Sequence, residues 1–382
     1  MEIISFRYSI PYIIVVTLYL LLSLLTVSKR GKNRFSSHVR VLCVTLFVCF
    51  IGLRGFIGSD CYVYYYYFQK SSQLSVFSDT HYEPGFVILL KIFNGLGFSY
   101  SCYQFLMGLI IGSILDVFFR RYSPNYALAW LAFFAFGGLI IAVDLQRNII
   151  SMSLFMISLP FLWRKRLIPY LCLNIIGMFF HSSAILYIPF YFIAHRDIKR
   201  NMLIAIFIIC NILFLTGNGI LSLLMNTIGK GLGGDYYDIY LRYTLSYNFA
   251  KGISIGYIER TITFLLVYIF YNRILRFNTY NRMFVNMFLC YYIAYFLLAD
   301  IEVIAQRISL LFKISYWILI PTLFYVMKYR NNRILYLTYL MIYSFIWTAF
   351  TTNNINFKYD NILTGSSSYE QRVSETNRRL IR

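Results

Sequence analysis

Two segments of the chain place a glutamine and an arginine together at the start of an apolar run. They are Gln146-Arg147 and Gln306-Arg307. A guanidinium is a planar fork that binds two phosphate oxygens at once, and a helix N-terminus adds positive potential. We therefore predict that these four residues bind substrate phosphates. The alternative for Arg147 is an interfacial ion pair with Asp144, which would contribute little to stability.

Two further residues are candidates for proton transfer. His181 stands in an apolar context, and its neighbours Ser182 and Ser183 offer hydrogen bonds that would fix its tautomer. A lone histidine of this kind is more often a packing residue. Glu83 directly precedes Pro84, at a predicted helix start where a carboxylate interacts favourably with the helix dipole. Capping alone would explain Glu83, and the alternative is a general base.

A third candidate segment reads RGFIGSDCYVYYYYF and begins at Arg54. Gly55 and Gly58 place Arg54 and Asp60 in a turn, where the two charges pair with each other or face a ligand in a cavity. The tyrosines that follow are typical of an aromatic belt at a membrane surface.

The elements that must position these residues are membrane helices. Hydrophobic residues make up 59% of the 382, and mean hydropathy is +0.63. A bilayer core of about 30 Å needs roughly 20 apolar residues in a helix, and such runs recur along the chain. We predict an all-α polytopic membrane protein with about 11–13 transmembrane helices, some short or re-entrant. Residues 1–350 form one transmembrane domain with loops at 54–83 and 218–256, and the polar tail 351–382 is predicted to be disordered.

Charge sets the expected topology. Lys and Arg number 35 against 15 Asp and Glu, giving a net charge of +20. The basic residues cluster in short loops, which the positive-inside rule places in the cytoplasm, so nucleic acid is not an expected partner. The candidate residues then gather on the opposite face, provided that residues 86–96 are re-entrant or interfacial.

The seven cysteines are scattered without metal-ligand spacing, so we expect no disulfide framework, metal or cofactor.

These motifs in this order resemble the EpsG family of polysaccharide polymerases, a Wzy-like group. The matching residues are Arg54, Gly58, Asp60 and Tyr64, then Glu83, Gly85 and Phe86, then Arg147, then His181, Ser182, Ser183 and Ala184, and finally Arg307 and Phe312. Family members often read Arg-Gln where this chain has Arg147-Asn148 with Gln146 ahead. That departure leaves the partner of Arg147 open.

The resemblance implies a metal-independent glycosyltransferase of the bacterial cytoplasmic (inner) membrane. It would join undecaprenyl-diphosphate-linked oligosaccharide repeat units into O-antigen, capsule or exopolysaccharide on the outer face, alongside a chain-length regulator and a flippase. Arg147 and Arg307 would hold the diphosphate and His181 would be the base, with Glu83 as the alternative base. Arg54 and Asp60 would position sugars or orient His181.

Two other classes of membrane protein remain open. A transporter or flippase of lipid-linked oligosaccharide has similar composition, but should show matching broken helices in two halves of the chain. A sugar O-acyltransferase would use an intramembrane histidine paired with a carboxylate or asparagine. His181 has no such neighbour in sequence.

Overall fold

The computed structural model describes residues 4–27, 36–77, 82–216, 253–299 and 301–376. Over these ranges the chain is helical, with isolated β-bridges and no strand. The long predicted loop at 218–256 falls almost entirely outside the described residues. The prediction of an all-α polytopic membrane protein is confirmed.

The helices in chain order are α1 Ile10–Val27, α2 Ser36–Phe47, α3 Cys61–Gln69, α4 Pro84–Gly95, α5 Tyr100–Tyr122, α6 Tyr126–Phe133, α7 Leu139–Val143, α8 Gln146–Trp163, α9 Leu167–Met178, α10 Tyr187–Ile193, α11 Arg200–Thr216, α12 Ile255–Phe277, α13 Asn281–Leu297, α14 Glu302–Leu310, α15 Ile314–Val326, α16 Arg330–Thr352 and α17 Tyr369–Glu375.

Four helical stretches of the described chain are long and apolar enough to cross a bilayer. They are Phe6–Val27, Tyr100–Tyr122, Tyr126–Val143 and Arg330–Thr352, and the pair α14 and α15, bent by 64°, would make a fifth. Other apolar helices are shorter. Helix α4, for example, has 12 residues and is about 18 Å long, which is too short to span alone. The expectation that residues 86–96 are re-entrant or interfacial agrees with this length, whereas the count of 11–13 spans stays a prediction.

The described chain divides into two compact units, residues 1–188 with 320–382 and residues 189–319. In the first unit, Trp130 of α6 is fully buried against the rings of Tyr19, Phe47 and Phe119. Helices α8 and α9 pack along each other, and α5 packs on α8. In the second unit, Phe264 of α12 packs on Tyr292 of α13. Buried aromatic rings thus form the core of each unit.

The polar C-terminal segment is ordered through residue 376, so the predicted disorder is wrong for the part that the structure describes. Helix α17 lies against the loop that precedes α3. There the Arg372 side chain is fully buried and donates to the carbonyls of Phe56 and Lys358. Val373 packs on Cys61. The segment folds because its polar groups satisfy backbone groups of that loop, which composition alone does not reveal.

Candidate functional site

Asp144 organises the loop that precedes α3. Its carboxylate accepts hydrogen bonds from the Ser59 hydroxyl and from the Asp60 backbone N–H, the latter at 2.7 Å. Gly58 has φ +95°, and a Cβ there would lie 2.7 Å from Asp144 Oδ1, so only glycine fits this approach. The suggested ion pair between Asp144 and Arg147 is therefore replaced by contacts with the loop.

Arg147 in the first turn of α8 pairs with Glu83. Its Nη1 donates to Glu83 Oε2 at 2.6 Å, and its guanidinium lies 4.4 Å from the centre of the Tyr82 ring. Tyr64 is a further hydrogen-bonding neighbour. The side chains of Arg147 and Glu83 are 21% and 16% exposed. The pair is therefore largely shielded from water, which strengthens the attraction.

The second oxygen of Glu83 bonds to the turn that carries His181. Glu83 Oε1 accepts from the Ser182 backbone N–H at 2.9 Å. Next to it, the Gly85 N–H donates to the Phe179 carbonyl at 2.8 Å, and a Cβ at Gly85 would lie 2.7 Å from that oxygen. The Glu83 side chain makes no capping hydrogen bond to α4. Helix capping is thus not its role, and it joins α8 to the His181 turn instead.

The environment of Glu83 keeps its carboxyl ionised. Burial raises the pKa, but the Ser182 N–H and the Arg147 charge outweigh burial, and the pKa of Glu83 lies below its ordinary value. A carboxylate with a lowered pKa is a weak base. This arrangement suits a residue that holds Arg147 better than one that removes a proton.

His181 caps a short 3₁₀ helix, Ser182–Leu186, and is partly exposed. Its Nδ1 lies 2.6 Å from the Ser183 hydroxyl and 3.3 Å from the Ser183 backbone nitrogen. Nδ1 accepts from the Ser183 N–H, and the direction of the hydrogen bond with the Ser183 hydroxyl depends on the tautomer of the ring. The sequence prediction that a neighbouring serine contacts the imidazole is correct for Ser183, whereas Ser182 binds Glu83.

Arg54 and Gln146 lie in the interior of the first unit. Arg54 is 4% exposed and donates to the carbonyls of Ile51 and Val143, and its Nε has no hydrogen-bond partner among the described residues. Gln146 is 6% exposed and bonds the hydroxyls of two tyrosines of α5, Tyr100 and Tyr103. Both line a cavity of about 20 Å³, enough for a single water. Direct contact with substrate, as predicted from the sequence, would require both side chains to leave the interior.

Gln306 and Arg307 are exposed, and they belong to the second unit. They lie near the C-terminal end of α14, before the break that separates it from α15. The prediction that both Gln-Arg pairs open an apolar helix is therefore correct for Gln146-Arg147 and wrong for Gln306-Arg307. Helix α14 begins earlier than expected, at Glu302, so the second pair sits in its later turns.

The second unit also contains a charged cluster that sequence reasoning missed. Glu259, Arg260 and Lys313 are each less than 10% exposed. Arg260 donates to the Tyr291 hydroxyl at 2.7 Å and stacks 3.7 Å from the centre of the Tyr295 ring. The sequence does contain a signal for this cluster, because charged residues inside apolar runs are rare and usually have a role.

Comparisons with known proteins give one result. The model of the EpsG family matches residues 38–364, which is most of the chain. The members of that family are Wzy-like polymerases. Neither the curated proteins nor the solved structures give a significant match.

Proposed function

Because the chain belongs to the EpsG family, we propose that it polymerises lipid-linked oligosaccharide repeat units into a bacterial surface polysaccharide. The donor is a repeat unit on undecaprenyl diphosphate. The product is O-antigen, capsule or exopolysaccharide, and the reaction takes place on the outer face of the cytoplasmic membrane.

One observation supports this proposal more than any other. A single carboxylate, Glu83, accepts from the Arg147 guanidinium with one oxygen and from the Ser182 N–H with the other. It therefore holds a phosphate-binding side chain beside the turn that carries His181. Glu83 and Tyr64 use part of the Arg147 guanidinium, which has five donors, so other donors are left for a diphosphate.

The reaction forms a bond between an acceptor hydroxyl oxygen and the anomeric carbon of the donor. The imidazole ring of His181 takes the hydroxyl proton. The bond from the anomeric carbon to the diphosphate oxygen breaks, and its electron pair leaves with the lipid diphosphate. Arg147 stabilises that developing charge, and Arg307 of the second unit stays a proposed phosphate-binding residue. With guanidinium groups in this role, the transfer is proposed to be independent of metal.

The other candidate residues have supporting roles. Asp60, whose backbone is fixed by Asp144, is proposed to bind sugar hydroxyls next to Arg147. Arg54 and Gln146 are proposed to stabilise the loop before α3 and the start of α8 through their hydrogen bonds in the interior of the first unit. Glu83 is the less favoured base because its pKa is lowered by Arg147 and the Ser182 amide.

The experiment is analysis of lipid-linked glycans and surface polymer in a strain that lacks the gene. We expect single repeat units on lipid, displayed on the outer face, and loss of long polymer, with recovery by the wild-type gene but not by His181→Ala. Accumulation on the cytoplasmic face would instead identify a flippase. Polymer of normal length lacking acyl groups would identify an O-acyltransferase.

A further inference from the structure

A second cavity lies between α5 and α8, in the half of α8 that is remote from Arg147. Its volume is about 360 Å³, and the residues lining it are mainly apolar. Met156, Ile157 and Pro160 line it from α8, roughly 14–20 Å along the helix from Arg147. The cavity is thus separate from the site described above.

The cavity opens towards the surface of the first unit. Val117 and Ile157 line it and are 55% and 41% exposed. In a membrane protein, exposed apolar side chains of this kind face lipid, so the cavity is accessible to an acyl chain.

One end of the cavity carries a cation. Arg121 lines it, is exposed, and rests 5.5 Å from the centre of the Tyr122 ring. Its neighbour Arg120 is bound instead to Asp116, which also binds Arg40. In the described part of the chain Arg121 has no carboxylate partner. An apolar cavity that ends at an arginine matches an acyl chain that ends in a phosphate.

We propose that this cavity binds an anionic phospholipid, with an acyl chain between α5 and α8 and the phosphate on Arg121. The net charge of +20 favours an anionic over a zwitterionic headgroup. A basic residue near a membrane surface attracts anionic lipid by about 1 kcal/mol, which corresponds to about a fivefold change in affinity. This inference does not depend on the polymerase reaction.

The test is native mass spectrometry of the full chain in detergent, titrated with phosphatidylglycerol or with phosphatidylcholine of the same acyl chains. The wild type should bind one phosphatidylglycerol more tightly than phosphatidylcholine. Arg121→Gln should weaken phosphatidylglycerol binding about fivefold. Arg276→Gln is the matched control: it removes an exposed arginine from the last turn of α12 and should change nothing.

Variants that fill the cavity distinguish lipid binding inside it from general attraction of lipid to a basic surface. Ser113→Trp, at an exposed position of the cavity wall, should reduce binding of both lipids, and Ile157→Trp should do the same from α8. Equal losses in Arg121→Gln and Arg276→Gln, equal binding of the two lipids by wild type, or unchanged binding in both tryptophan variants would overturn the proposal.

Discussion

The guanidinium of Arg147 and the carboxylate of Glu83 lie 2.6 Å apart, although 64 residues separate them in the chain. Through this pair the first turn of α8 meets the start of α4. The same carboxylate reaches the Ser182 N–H, so three segments of the first unit converge on one side chain.

Replacing Glu83 tests whether it positions Arg147. Glu83→Gln keeps the shape and an oxygen for Ser182 but removes the charge, so Arg147 loses a charge-assisted bond of about 1.5–3 kcal/mol. We expect the rate of polymerisation by purified protein to fall by at least tenfold. Asp197→Asn is the control, because Asp197 is 74% exposed in its pair with Arg282 and should contribute little. A Glu83→Gln rate equal to that of the control would contradict the positioning role.

The pH dependence of stability follows from the lowered pKa of Glu83. A carboxyl whose pKa is lower in the folded state contributes stability above its ordinary pKa of 4.5, and that contribution disappears as pH falls through the folded value. The difference in melting temperature between wild type and Glu83→Gln should therefore be constant from pH 8 to pH 5 and shrink only below that range. A difference that already shrinks between pH 7 and pH 6 would show that the pKa of Glu83 is not lowered.

Gly85 allows α4 to approach the turn after α9. Gly85→Ala would place a Cβ 2.7 Å from the Phe179 carbonyl oxygen, and we expect a loss of about 1–3 kcal/mol in stability. Gly95→Ala, at the other end of α4, meets no described atom of the protein within 4 Å and should be neutral or stabilising by up to about 1 kcal/mol. Thermal unfolding in detergent measures both, and equal melting temperatures for the two variants would disprove the close contact.

Arg372 fixes the C-terminal segment over Cys61, which is 1% exposed. Arg372→Ala leaves the carbonyls of Phe56 and Lys358 without their donor, at a cost of about 1–3 kcal/mol each. In a variant whose only cysteine is Cys61, we expect faster labelling of the purified protein in detergent by a maleimide. Arg282→Ala, which breaks an exposed pair, is the control. Labelling that stays slow in Arg372→Ala would show that α17 does not depend on this arginine.

Sequence patterns predicted an all-α membrane protein and singled out Arg147, Glu83 and His181 as candidates, because hydropathy and isolated charges in apolar runs are local signals. They did not predict the Glu83–Arg147 pair, since no helical periodicity relates residues so far apart in the chain. Arg54 was expected to pair with Asp60 or to face a ligand, and its side chain is interior, because flanking glycines reveal a turn but not the direction of a side chain. The order of the tail also depends on tertiary hydrogen bonds, which composition does not encode.

Binding of the diphosphate by the Arg147 guanidinium is tested by polymerisation of a purified undecaprenyl-diphosphate-linked repeat unit by Arg147→Lys protein. Lysine keeps the charge beside Glu83 but cannot bind two phosphate oxygens as a fork. Arg282→Lys, at an exposed pair, is the matched control and should give polymer of normal length. We expect that Arg147→Lys protein, folded as judged by its melting temperature, leaves the donor at one repeat unit. Long polymer made at the wild-type rate by Arg147→Lys would contradict this expectation.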